Sequence, residues 1–88
     1  MIARRRILLA DDHALVRAGI RALLESLPGV VVVGETGDGL EAVEFVRRDP
    51  PDAILLDITL PGLNGLDAAA RIARLDVPTR VLMLSMHA

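Results

Sequence analysis

The sequence has no cysteine, no lysine, no tryptophan and no tyrosine, and Phe45 is its only aromatic residue. Without cysteine it is neither a disulfide-stapled secreted scaffold nor a cysteine-ligated zinc ribbon. Without aromatics it has no stacking platform for single-stranded nucleic acid. A net charge of -2 over 88 residues gives no global electrostatic footprint for nucleic acid. No apolar run approaches the roughly 20 residues that span a bilayer, so no membrane partner is expected. The basic start through Arg6 is followed only by Ile7–Ala10 before Asp11 and Asp12. That is too short for a signal-peptide core, and a cytoplasmic protein is expected. The run Arg4–Arg6 reads as a solvated flank. High apolar content, 52%, with little net charge excludes disorder. The length suits one small domain.

Short apolar runs alternate with amphipathic stretches. Ile7–Ala10 reads as a buried strand ending in Asp11-Asp12. Leu15, Val16, Ile20, Leu23, Leu24 and Leu27 recur at helical spacing over 13–27, and Pro28-Gly29 stops that helix. Val30–Val33 is a β-branched run and a second strand. Gly34 to Gly39 reads as a glycine-rich connection. Asp38 with Glu41 three residues on predicts a capping box and a helix over 39–48. Asp49-Pro50-Pro51-Asp52 breaks it. Ala53–Leu56 is a third strand, ending at Asp57. The turn-rich segment Leu60–Gly65 precedes a helix over 66–75, whose inner face should be Leu66, Ala69, Ile72 and Ala73. Arg80–Ser85 is a fourth strand. The order β-α-β-α-β-α-β with unbroken apolar strands predicts an α/β fold: a doubly wound parallel sheet between helix layers.

In such a sheet the chemistry lies at the carboxyl ends of the strands. Strand one ends in Asp11-Asp12, strand three in Asp57 and strand four in Ser85. With strands one and three adjacent, three carboxylates converge and repel one another. A bound divalent cation or raised pKa values would relieve that. Oxygen-only ligands point to Mg²⁺ or Mn²⁺ rather than zinc. Taken singly, each aspartate has a structural reading, and Asp12 before the first helix suits a cap. His13 and His87 read as surface residues, since neither has a partner at metal-ligand spacing.

The pair Asp11-Asp12, the segment Asp57-Ile-Thr-Leu-Pro-Gly-Leu-Asn-Gly65 and the segment Val81-Leu-Met-Leu-Ser85 together resemble the receiver domain of bacterial two-component response regulators. Asp11-Asp12-His13, Val16-Arg-Ala-Gly19 and Asp38-Gly-Leu-Glu-Ala42 resemble its NarL/FixJ (LuxR-type) subgroup. The resemblance covers the whole chain. It implies a flavodoxin-like, CheY-like sheet of order 2-1-3-4. It implies that Asp57 accepts a phosphoryl group from a sensor histidine kinase. Asp12, with Asp11 alongside, Asp57 and the backbone carbonyl of Thr59 would hold Mg²⁺ (or Mn²⁺). Ser85 would hydrogen-bond the phosphoryl group. Such a protein is not an enzyme beyond phosphorylating itself from a phosphodonor and losing the group again. It would contact DNA only through a helix-turn-helix output domain of the parent protein.

The chain departs from that family in stopping after strand four. The family continues into a fourth helix, a fifth strand carrying a lysine and an aromatic residue, and a fifth helix. Residues 1–88 are therefore expected to form a C-terminally incomplete receiver domain without an output domain. Self-association is expected through the exposed edge of strand four or the uncovered face. A pseudo-receiver that only binds partners is the alternative reading. A dinucleotide-binding enzyme domain is a further one, because Gly37, Gly39 and Ala42 fit G-x-G-x-x-G/A with Asp57 downstream. Against it, Glu35 and Thr36 separate those glycines from the strand. A haloacid-dehalogenase-type phosphatase would need an aspartate where Thr59 stands.

Overall fold

The computed structural model describes residues 4–85. Seven elements alternate: β1 (Arg5–Ala10), α1 (Ala14–Glu25), β2 (Val30–Thr36), α2 (Gly39–Arg48), β3 (Ala53–Asp57), α3 (Gly65–Ala73) and β4 (Arg80–Leu84). All four strands are parallel, in the order β2-β1-β3-β4. This is the flavodoxin-like arrangement expected. His87, read as a surface residue, lies outside the described residues.

Side chains alternate across the sheet. Leu8, Ala10, Ile54 and Leu56 point to one face and form the core with Ala42 and Val46 of α2, Ala68 and Ile72 of α3, and Leu60. Leu9, completely buried, points the other way, where α1 packs over β1 and β2. Burial on both faces is why the central strands are apolar without interruption. The α1 layer is the lighter one. It has no fully buried residue, and Leu15 and Leu23 are 86% and 70% exposed. Among the described residues β4 is an outer strand, with Leu82 and Met83 at 52% and 37% exposure. No helix among the described residues is long and apolar enough to cross a membrane.

Several local expectations change. β2 continues through Thr36, so Gly34–Thr36 are strand rather than connection. The β1–β2 register slips between Ile7 and Leu8, which pair with Val32 and Gly34, so Val33 is the extra residue of a bulge. Arg6 is no solvated flank: its guanidinium pairs with Asp49 at 2.6 Å and donates to the Pro50 carbonyl at 3.1 Å. Its backbone N–H donates to the Asp52 carboxylate at 2.7 Å, which ties the α2–β3 turn to β1. On α3 the buried residues are Gly65, Ala68 and Ile72, whereas Leu66 is 61% exposed and Ala73 is exposed as well. The helix starts at Gly65, and Asn64 caps it by accepting from Asp67 N–H at 2.9 Å. That start fixes the rotational phase of every residue after it.

Glu35, near the end of β2, fastens α1 to the sheet. It accepts from Arg17 Nε at 3.0 Å and from the Arg21 guanidinium. The Arg21 hydrogen bond, and then the charges of both arginines, hold the Glu35 carboxyl below the ordinary carboxylate range against the opposing effect of burial. A carboxyl depressed by folding adds stability above its unfolded pKa, and this fades as pH falls through the folded value. Glu35→Gln should therefore be less stable than the parent at neutral pH, by under ~1 kcal/mol because the pairs are partly solvated. Urea titrations followed by circular dichroism should show that gap closing under acid. A gap unaffected by pH would exclude the ion pairs as its cause.

Candidate functional site

Ala10 pairs with Leu56 across β1 and β3, so the next residues of each strand, Asp11 and Asp57, stand side by side at the carboxyl edge of the sheet. The Asp11 N–H donates to the Thr36 carbonyl at 3.0 Å, and Asp57 pairs with Leu84 of β4. Both aspartates are completely buried. Asp12 lies on the rim, its side chain 36% exposed. Oxygens of Asp11, Asp12 and Asp57 and one ring nitrogen of His13 all lie within 4.8 Å of one another.

The hydrogen bonds leave two oxygens over. Asp11 Oδ1 accepts from the His13 N–H at 2.7 Å and from Nδ1 at 2.9 Å. Asp57 Oδ1 accepts from the Thr59 N–H at 3.1 Å and from its hydroxyl at 3.2 Å. Asp11 Oδ2 and Asp57 Oδ2 are buried without a hydrogen-bond partner. Buried carboxylate oxygens without a partner are costly, because water is lost and nothing replaces it. A hard divalent cation answers both the charge and the empty lone pairs, and an oxygen-rich donor set fits Mg²⁺ or Mn²⁺. The carboxylates also raise the His13 pKa, first through the Asp11 hydrogen bond and then through the charges of Asp12, Asp11 and Asp57, with burial opposing.

The loop after β3 is held from two sides. The Ile58 N–H donates to the Leu84 carbonyl at 3.1 Å, and the Gly65 N–H to the Ile58 carbonyl at 2.8 Å. A Cβ on Gly65 would lie 2.2 Å from the Asp57 carbonyl oxygen, so α3 can begin this close to the acidic strand end only with glycine there. On the other side the loop meets the start of α2. The Gly39 N–H donates to the Pro61 carbonyl at 3.2 Å, and a Cβ on Gly39 would lie 1.7 Å from the Leu63 carbonyl oxygen. Asp38 caps α2 by accepting from the N–H groups of Leu40 and Glu41. The reciprocal half of the expected capping box is altered: the Asp38 N–H donates to the Thr36 hydroxyl at 3.1 Å, and that hydroxyl donates to Glu41 at 2.6 Å.

Asp11, Asp12, Asp57 and Thr59 are thus together. For Thr59 the structure shows its N–H and hydroxyl on Asp57. Ser85 is exposed, directly after Leu84 at the end of β4. His13 departs from the expectation. It is half-exposed, but its ring reaches the acidic cluster, which spacing rules for paired ligands could not reveal. Arg17 was also missed as a site residue. Its guanidinium donates to the Asp11 carbonyl at 2.7 Å and braces the β1–α1 turn. The glycine fingerprint fails for a different reason from the one foreseen. β2 runs through Thr36, so Gly37 does follow a strand directly. The N–H groups of Gly39, Leu40 and Glu41 are already engaged, however, and none is free for a pyrophosphate.

Comparison with known proteins agrees with this geometry. The response regulator receiver domain family matches residues 7–88. The chain is 46% identical over 81 residues to the response regulator UvrY of Escherichia coli (strain K12), covering 92% of this chain and 37% of that protein. It is 42% identical over 82 residues to the transcriptional regulatory protein NarL of Mycobacterium tuberculosis (strain H37Rv), covering 93% and 38%. It therefore spans little more than a third of the length of these relatives. Among solved structures, the signal receiver domain of Mycobacterium tuberculosis NarL superposes with a TM-score of 0.92 at 40% identity, over 98% of this chain and 69% of that one.

The glycine contacts make a direct prediction. Gly65→Ala forces a methyl into the Asp57 carbonyl and must displace the turn that carries Thr59. Overpacking of this kind costs roughly 1–3 kcal/mol. Thermal unfolding should show a clear fall in Tm, and the Thr59 amide resonance should move. A neutral substitution would mean that the turn has slack that the contact distance denies.

Proposed function

The chain belongs to the response regulator receiver domain family, and from that premise we propose that Asp57 is the residue that takes up a phosphoryl group from a histidine kinase. The observation that carries this reading is the unpartnered Oδ2 of a completely buried Asp57 beside the equally unpartnered Oδ2 of Asp11. One Asp57 oxygen is held by Thr59, which fixes the carboxylate plane, while the other is free to attack. In the transfer an Asp57 O–P bond forms as the P–N bond of a kinase phosphohistidine breaks. The electron pair stays on the departing imidazole, which is reprotonated from solvent.

Asp57 is an anion attacking an anion, so neutralisation and positioning are the main demands. Asp11, Asp12, Asp57 and the Thr59 carbonyl would hold Mg²⁺, which supplies charge stabilisation for the equatorial phosphoryl oxygens. Thr59 orients the nucleophile and Arg17 braces the Asp11 turn. Ser85, at the end of the neighbouring strand, would donate its hydroxyl to the phosphoryl group. A new dianion at the sheet edge would then rebias the surrounding loops through these hydrogen bonds. In a longer parent protein the output would be a helix-turn-helix transcription regulator in the cytoplasm; the name of one relative, a transcriptional regulatory protein, supports the transcriptional part of that reading.

Intact-mass spectrometry after incubation with acetyl phosphate tests this. One phosphoryl group should add in the presence of Mg²⁺, and none with Asp57→Asn or without the cation. A folded sample that gains no mass would favour a partner-binding module instead. The 88 residues are also proposed to self-associate along β4, whose Leu82 and Met83 are exposed. Light scattering should report a mass above the monomer, and a monodisperse monomer would remove that part of the proposal.

A further inference from the structure

We infer that His13 is a built-in occupant of the cation seat, which must swing out before a divalent cation can bind. The inference rests on the acidic pocket being a cation site, as proposed above. Nδ1 of His13 lies 2.9 Å from Asp11 Oδ1, 3.3 Å from Asp12 Oδ1 and 3.4 Å from Asp57 Oδ2. One nitrogen therefore sits where three carboxylates converge, the same place that a shared cation would take. Ionised carboxylates only accept hydrogen bonds, so this nitrogen carries a hydrogen. While Nδ1 is held against the three carboxylates it stands at the point a cation would share, and in that arrangement His13 competes for the seat.

The local structure lets the ring leave. His13 is the N-cap residue of α1, yet its side chain makes no capping hydrogen bond, so rotation breaks nothing in the helix. The side chain is 49% exposed, and a path to solvent is open. The backbone bond from the His13 N–H to Asp11 Oδ1 does not depend on the ring and stays when it rotates. Two arrangements follow: ring in without cation, and ring out with cation. Cation loading is thereby coupled to a change on the surface at the start of α1.

Mg²⁺ binding measured by calorimetry on the parent chain, His13→Ala and His13→Phe decides the matter. Circular dichroism should confirm that each is folded. Both variants lose the competing N–H, one with a small side chain and one with a ring of similar size. Each should bind Mg²⁺ about tenfold more tightly, the scale set by one hydrogen bond to a charged acceptor. In the parent, the His13 ring signals in NMR should shift with the same midpoint as Mg²⁺ binding. Equal or weaker binding by both variants, with the parent still binding, overturns the inference and leaves the cation site standing. No binding by any of the three would instead overturn the cation site itself.

Discussion

Two buried carboxylates at adjacent strand ends are the constraint on which the rest of this structure depends. Asp11 and Asp57 follow directly on the paired residues Ala10 and Leu56, and neither reaches solvent. Each has a buried oxygen that no protein donor satisfies, which is costly in a core this small. The His13 ring reaches both carboxylates, 2.9 Å from Asp11 Oδ1 and 3.4 Å from Asp57 Oδ2. The acidic pocket is therefore where the described fold leaves buried polar atoms unsatisfied.

The surrounding scaffold is built to hold that place still. The loop after β3 is fixed by Leu84 on one side and by the start of α2 on the other, through Gly39, Pro61 and Leu63. Gly65 lets α3 begin directly against the Asp57 carbonyl. Arg17 joins the turn after β1 to Glu35 of β2. These contacts tie the acidic edge to α1, α2, α3 and β4. The α2–α3 side supplies the core, while α1 and β4 carry the exposed apolar residues Leu15, Leu23, Leu82 and Met83.

Much of this was legible in the residues. Unbroken apolar runs gave the strands, because a parallel sheet buries both faces of its central strands. Asp38 announced α2 to the residue, since a side-chain cap is a local interaction. Less legible was β2, which runs past Gly34 because pairing with Leu8, Leu9 and Ala10 outweighs the turn preference of glycine. The inner face of α3 was legible in Ile72 and Ala69 but misplaced at Leu66 and Ala73, because the phase is set by Asn64 and by the contact of Gly65 with a distant strand. Arg6 looked like a solvated flank, and only folding brings it to Asp49 and Pro50.

The sequence by itself determined the alternation of elements, the parallel sheet and the acidic residues at its strand ends. Those follow from patterns within a few residues, where periodicity and capping act. Only the tertiary structure decided that Asp11 and Asp57 each keep an unsatisfied oxygen, that Thr59 holds Asp57, and that the ring of His13 sits among the carboxylates. Asp11 and Asp57 are far apart in the chain and strand register brings them together, while the Thr59 and His13 contacts span two residues and depend on how the chain turns at each strand end. Spacing along the sequence can name the groups that meet, but not which lone pairs remain free when they do.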